Sequence, residues 1–287
     1  MNLNILLAGI PSKMRIIGRK IVSITELISP KNSKPIVITF TGGMGAQVLS
    51  AAIYFLLKSE GRKVYADLSY FKQSSHVAVV GKPGDISHWD WQLQSFGLFP
   101  ESFERLPKIH RSKYKLIQDG RKKTALGLKA LSMSSIQKYF LDEKSLADIL
   151  PQEFIPDYLC IHVRRGDYVN VASYLVDDNK FIELANKIAG LVSCIVVVSD
   201  SPINDFLRKA ICNVYQKAIF LDGADAISTH RIMRNARVLI CSNSQFSLIA
   251  ALLNKRALVF MPKIWFGSGS SELEIPINEL CSFQILR

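Results

Sequence analysis

The densest chemistry in the sequence lies in seven consecutive residues, His162-Val163-Arg164-Arg165-Gly166-Asp167-Tyr168. A guanidinium presents paired, planar N–H donors that match phosphate oxygens two at a time. Two adjacent arginines followed by a glycine therefore suit a phosphorylated ligand; the competing reading is an ion pair of Arg164 or Arg165 with Asp167. Three further polar stretches accompany them: Ser199-Asp200-Ser201-Pro202, Asp222-Gly223 and Ser242-Asn243-Ser244-Gln245-Phe246-Ser247. A Ser/Asn-rich turn that opens a helix offers backbone N–H groups to an anion, although the same residues also serve as plain helix caps. Near the amino terminus, Thr41-Gly42-Gly43-Met44-Gly45-Ala46-Gln47 has the glycine content for close backbone approach to a ligand. Asp67 follows at about the distance of a ribose-binding acid, but Val48 stands where a dinucleotide fingerprint needs its third glycine. No Gly-Lys-Ser/Thr of Walker type occurs.

These loops are positioned by alternating apolar runs and helical stretches. Tyr158–Val163, Cys194–Val198, Ala218–Leu221, Val238–Cys241 and Ala257–Met261 have strand length and composition, with helical patterns near 178–190, 202–211, 225–235 and 245–254. Such alternation predicts a parallel sheet with helices on both faces. In open sheets of this kind ligands bind at the carboxyl ends of the strands, which is where the polar stretches of the second half fall. Pro35–Phe40, the glycine turn, a helix over 46–59 and Lys63–Leu68 predict a second β–turn–α–β opening. The expected divisions are a basic extension over 1–34, one α/β domain over 35–152 and another over 153–287. Residues 70–150 are less regular: Trp89, Trp91, Phe96, Phe99 and Phe103 crowd a segment broken by prolines, and 105–129 holds nine Lys/Arg against Asp119 alone.

The 287 residues are 48% hydrophobic and 21% charged, which allows a sizeable core and excludes a disordered chain. Five dispersed cysteines without a CxxC pair predict reduced thiols in a cytoplasmic protein, with neither a disulfide framework nor a zinc site. Apolar runs fall far short of the ~20 residues that span a bilayer, and the order of apolar and basic residues at the amino terminus is not that of a secretory signal. Residues 1–34 carry six basic residues against Glu26 alone, with isoleucines at near-helical spacing. That segment suits either a helix packed on the body of the protein or peripheral contact with an anionic membrane surface. The net charge of +12 also permits nucleic-acid binding, but no nucleic-acid motif accompanies it, so no nucleic-acid partner is expected.

The segment His162–Tyr168 resembles the His-x-Arg-Arg-Gly-Asp-Tyr motif of the α-1,2-fucosyltransferases, glycosyltransferase family 11. Gly42-Gly43-Met44-Gly45-Ala46-Gln47 is similar to that family's Gly-Gly-Leu-Gly-Asn-Gln turn, Ser199-Asp200-Ser201 to its second motif, and Asn243-Ser244-Gln245-Phe246-Ser247 to its Asn-Ser-Ser-Phe-Ser motif. The resemblance covers roughly residues 36–262. Ala46, Gln245 and the Leu248-Ile249 pair depart from the family pattern, which has Asn, Ser and two tryptophans there, and they bear on the sugar and the acceptor.

The resemblance implies a GT-B architecture, two Rossmann-like domains facing across a cleft. It implies inverting transfer of L-fucose from GDP-β-L-fucose to an acceptor glycan, in α-1,2 linkage, as in bacterial surface polysaccharide and lipopolysaccharide synthesis; another deoxysugar donor, GDP-colitose or a rhamnose donor, is the alternative. No Asp-x-Asp occurs, so no metal and no cofactor is expected. Donor contacts fall to His162, Arg164, Arg165, Asp200, Asn243, Ser244, Gln245, Phe246 and Ser247. Gly42, Gly43, Gly45 and Gln47 fall on the cleft, on its acceptor or donor side. Arg164 would meet the charge of the departing diphosphate, with His162 orienting its loop. The base would be Asp167, with Asp177 and Asp178 as alternatives. The protein would work in the cytoplasm, peripheral at the inner membrane.

Overall fold

The computed structural model describes residues 34–72, 90–108, 110–118, 120–141, 146–152, 155, 157–170, 174–254, 257–262 and 280–283. Lys34–Arg287 forms one compact unit. Residues 1–33, which hold nearly all of the basic extension, and Trp89 lie outside the described residues.

The first sheet contains Ile36–Thr39 (β1), Val64–Asp67 (β2) and Lys115–Ile117 (β3), all parallel, in the order β2-β1-β3. The β-branched Ile36, Val37 and Ile38 are fully buried, as a central strand covered on both faces requires. Between β1 and β2 runs Met44–Ser59 (α1), whose Val48, Leu49, Ala51, Ala52, Ile53 and Leu57 are buried. A helix apolar on so much of its circumference must be covered on several sides. Arg121–Leu131 (α2) supplies one of them: a Cβ on Gly127 would lie 2.7 Å from Leu49 Cβ, so only glycine permits this approach of α2 to α1. Phe40, at the end of β1, gathers Trp91 and Phe103, with ring centroids 5.7 and 5.0 Å away, whereas Phe96 packs on Phe140 and Phe99 is exposed.

The second sheet contains Tyr158–Val163 (β4), Cys194–Ser199 (β5), Ala218–Asp222 (β6), Val238–Ile240 (β7), Leu258–Pro262 (β8) and Leu280–Phe283 (β9). All are parallel in the order β6-β5-β4-β7-β8-β9, the doubly wound Rossmann order with its switch point between β4 and β7. Alternate residues face opposite sides. Leu159, Ile161 and Val163 join Phe181, Leu184 and Ile188 of Asp178–Ile188 (α3) and Leu207 and Ile211 of Asp205–Val214 (α4) in one buried cluster. Burying a side chain of this size is worth about 1.5–3 kcal/mol. Tyr158 and His162 face the other way: the Tyr158 hydroxyl donates to the carbonyl of Ile232 on Ala226–Asn235 (α5) at 2.6 Å, and His162 meets Ser247 on Gln245–Leu253 (α6).

Apart from β9, the elements of the second sheet agree with the sequence reading to within a few residues. Of the strands and helices named above, β3, α2 and β9 were not legible. β3 is three residues long with exposed Lys115, α2 begins with three basic residues, and β9 is a strand of only four residues.

Candidate active site

The switch point of the second sheet is flanked by the loops after β4 and β7, and each is held in place by its own contacts. After β4, Arg165 N donates to Asp200 Oδ1 at 2.8 Å and Gly166 N donates to Ser201 Oγ at 3.0 Å. The backbone of the arginine loop is thus fixed by the loop after β5. Arg164 Nη1 lies 2.7 Å from Asp200 Oδ2, and the two side chains are only 16% and 14% exposed, so the pair is held in a poorly hydrated setting. The Arg164 guanidinium also lies 5.2 Å from the Tyr168 ring centroid. Gly166 has φ 21, and a Cβ there would stand 2.4 Å from Asp200 Oδ2, so glycine is required for this loop to close on the carboxylate.

The described partners of the two arginines are other carboxylates, and the ion pair with Asp167 that the sequence suggests falls on a side chain outside the described residues. Arg164 pairs with Asp200, while Arg165 Nη2 pairs with Asp178 Oδ1, whose other oxygen accepts from Asn204 Nδ2 at 2.7 Å. Asp178 is therefore held between two donors, and Asp177 Oδ1 accepts from Asn179 N at 2.7 Å. Asp167 lies in the 3₁₀ turn Gly166–Asn170; its side chain is outside what is described.

After β7, Ser244 caps α6, its hydroxyl accepting from Phe246 N at 3.2 Å. His162 Nδ1 lies 2.5 Å from Ser247 Oγ and 2.9 Å from Ser242 Oγ. His162 thus fixes the β7–α6 loop; the arginine loop is held by Asp200 and Ser201 instead. Burial, with Arg164 and His230 adding like charge, pushes the His162 pKa down to about 3, so the imidazole is neutral. Asn243 is fully buried, and neither its amide oxygen nor its nitrogen has a hydrogen-bond partner among the described residues. An unsatisfied buried amide costs about 1–3 kcal/mol.

The glycine turn of the first half meets the start of α6. A Cβ on Gly45 would lie 2.6 Å from the carbonyl carbon of Gln245 and 2.7 Å from Phe246 N. Gly42, at φ 69, makes the turn and Gly43 caps α1. Gln47 is fully buried beneath this turn: its amide nitrogen donates to the carbonyls of Gly42 and Asp90, both at 2.8 Å, and its oxygen accepts from Gln92 N. Its side chain holds the turn in shape and does not face the cleft. Gln245 reaches across to α2, Nε2 to Thr124 Oγ1 at 3.2 Å. Lys123, Thr124 and Tyr70 line the same space and were not singled out from the sequence; Lys123 was one of nine basic residues spread over 105–129 with nothing local to distinguish it.

Two parallel α/β sheets meet through the glycine turn and the start of α6, with polar loops at the switch point of the larger one, which is the two-sheet arrangement of a GT-B fold. Residues 133–267 match the model of glycosyl transferase family 11, and the arginine loop and the Asn243–Ser247 loop both lie inside the matched stretch. No curated protein sequence matches the chain. Solved structures with some likeness include POFUT1 in complex with GDP, at 13% identity and TM-score 0.46, covering 81% of this chain and 99% of that one. They also include E. coli ADP-heptose lps heptosyltransferase II, at 12% identity and TM-score 0.43, covering 88% of this chain and 90% of that one.

Proposed function

We propose that the protein transfers L-fucose from GDP-β-L-fucose to a hydroxyl of an acceptor glycan, by a single inverting displacement in α-1,2 linkage and without a metal ion. The observation that carries the reading is Arg164, anchored by Asp200 at the carboxyl edge of β4, in the same switch-point crevice as the start of α6. The acceptor oxygen attacks the anomeric carbon as the bond to the diphosphate breaks. The charge that accumulates on the leaving GDP is met by the Arg164 guanidinium and by the positive end of α6 at Ser244–Ser247. Because Asp200 fixes one edge of Arg164 beforehand, little reorganisation is needed as that charge develops. Asp178 is engaged by Arg165 and Asn204, so the base role goes to Asp167. The acceptor approaches from the first sheet, and its natural setting is bacterial surface polysaccharide synthesis.

Thermal-shift measurements with GDP, UDP, dTDP and their sugars test the donor, since a ligand bound only by the native state raises apparent stability. GDP and GDP-fucose should raise the melting temperature and the others should not. Stabilisation by UDP or dTDP sugars instead would sink the donor assignment. Transfer should persist in excess EDTA; a collapse restored by Mg²⁺ or Mn²⁺ would refute the metal-independent route. Asp167→Asn should retain GDP binding and lose transfer.

A further inference from the structure

A cavity of about 370 Å³ opens at the carboxyl edge of the first sheet. It lies between the Thr41–Gly42 turn that follows β1 and Gly120, which follows β3. β1 and β3 are adjacent parallel strands, so the loops after them lie side by side at one edge of the sheet. Gln245, at the start of α6, closes its wall on the side of the second sheet. The volume is that of a small-ligand site.

Among the described residues that line this cavity, the one charged side chain is Lys123. Of the nine basic residues in 105–129, eight are exposed, as a solvated basic face would be; Lys123 is the exception, 4% exposed and lining the cavity. Its ammonium donates to the carbonyl of Thr39 at 2.5 Å, which holds the charge at the edge of β1. The cavity touches the first turns of α1, α2 and α6 at Ala46, Lys123 and Gln245, and none of these turns contains an acidic residue. α2 begins instead with Arg121, Lys122 and Lys123, a placement that opposes its own dipole. No carboxylate belongs to the described lining residues. A fold optimised only for stability would put Asp or Glu there.

We propose that this cavity takes the acceptor and selects an acidic sugar, with Lys123 reading the sugar's carboxylate and Gln245 and Thr124 bounding it. The assignment of the cavity to the acceptor rests on the donor reading above; the preference for a negative charge rests on the cavity itself. Two probes differ only at C6: methyl β-galactopyranoside and methyl β-galactopyranosiduronate. The full chain with GDP-fucose should use the uronate with the higher kcat/KM. Lys123→Gln should raise the KM for the uronate by about tenfold to a hundredfold, the worth of a hydrogen bond to a charged group. Lys123→Arg should restore most of it, and a cooperative thermal unfolding transition without ligand reports that each variant folds.

Equal or better use of the neutral sugar, or transfer to neither while GDP-fucose binds, overturns the acidic-acceptor inference and leaves the donor reading standing. Loss of GDP-fucose binding in a folded Lys123→Gln protein overturns it too, by giving the cavity to the donor. Ligand-observed NMR with the two sugars and no nucleotide separates the remaining case. Lys123-dependent binding of the uronate by a protein that ignores GDP-fucose sinks the donor reading and keeps the charge preference.

Discussion

Arg164 owes its usefulness to its shape as much as to its charge. With Nη1 on Asp200, its guanidinium plane is fixed relative to the sheet edge. Lysine is a point charge with no planar fork and cannot keep that carboxylate while meeting two phosphate oxygens. Arg164→Lys should therefore lower turnover by ~10²–10³, the typical cost of one preorganised transition-state contact. A folded Arg164→Lys enzyme that retained most of its transfer rate would show that the role belongs elsewhere. The histidines make a second prediction at this scale. Burial pushes both His162 and His230 down to about 3 from an ordinary 6.5, with Arg164 and His230 acting further on His162 and Arg234 on His230. Between those values the unfolded chain binds more protons than the folded one, so stability is full above about pH 6.5 and falls as pH drops towards 3. Each histidine contributes at most about 1.4 kcal/mol per pH unit within that window. Neither ring nitrogen of His230 has a hydrogen-bond partner among the described residues, and its ring packs on Phe246 and Phe96. Urea denaturation of His230→Leu should show about half the wild-type acid slope and no loss of stability at pH 7.5. An unchanged slope would mean that His230 does not stay neutral in the folded protein.

At the scale of elements, the joint between the halves is the contact of α1 with the start of α6. Gly45 faces the backbone of Gln245 and Phe246, and neither can yield as the tip of a flexible side chain would. Gly45→Ala should cost about 1–3 kcal/mol, the usual penalty for overpacking a closed contact, read as a lower melting temperature. It should also weaken GDP binding, because the displaced α6 start carries Ser244 and the loop that His162 holds. A variant that lost stability with GDP affinity intact would show that this joint is structural only. By contrast, Gly61→Ala tests the left-handed turn after α1, where φ is 73 but a Cβ would meet nothing within 4 Å. Its cost should be confined to stability.

Across the whole molecule the charge excess is unevenly spent. Eight of the basic residues in 105–129 are exposed and lie in the half that carries the proposed acceptor cavity. Among the described residues no helix is long and apolar enough to cross a membrane. A surface of this kind suits attraction to anionic headgroups, worth ~1 kcal/mol per basic residue and decaying within a Debye length. Sedimentation with anionic vesicles should accordingly be weak, reversible and abolished at high salt. Removing residues 1–33 spares Lys34, whose ammonium donates to the carbonyl of Ser112 at 2.7 Å. That truncation should reduce vesicle binding and leave transfer to a soluble acceptor largely intact. If the truncated protein loses GDP binding instead, the leader belongs to the folded body and the membrane reading falls.

The sequence by itself determined the order of strands and helices in the second half and the loops that would carry chemistry. Both follow from local properties: apolar alternation marks strands and helices, and in a parallel sheet the residues just after each strand share one edge. Composition and charge likewise excluded a disordered chain without reference to any contact. Only the tertiary structure decided which charges meet. Arg164 finds Asp200, Arg165 finds Asp178, and Gln47 turns beneath its own glycine turn, all by packing between segments distant in sequence. The difference between Lys123 and its eight basic neighbours is of the same kind. Side-chain type is written in the sequence, but whether a lysine faces water or a cavity depends on the short strand β3 and on the helix that packs across it. A three-residue strand and a helix with a charged first turn are too weakly patterned to be recognised before the sheet that stabilises them exists.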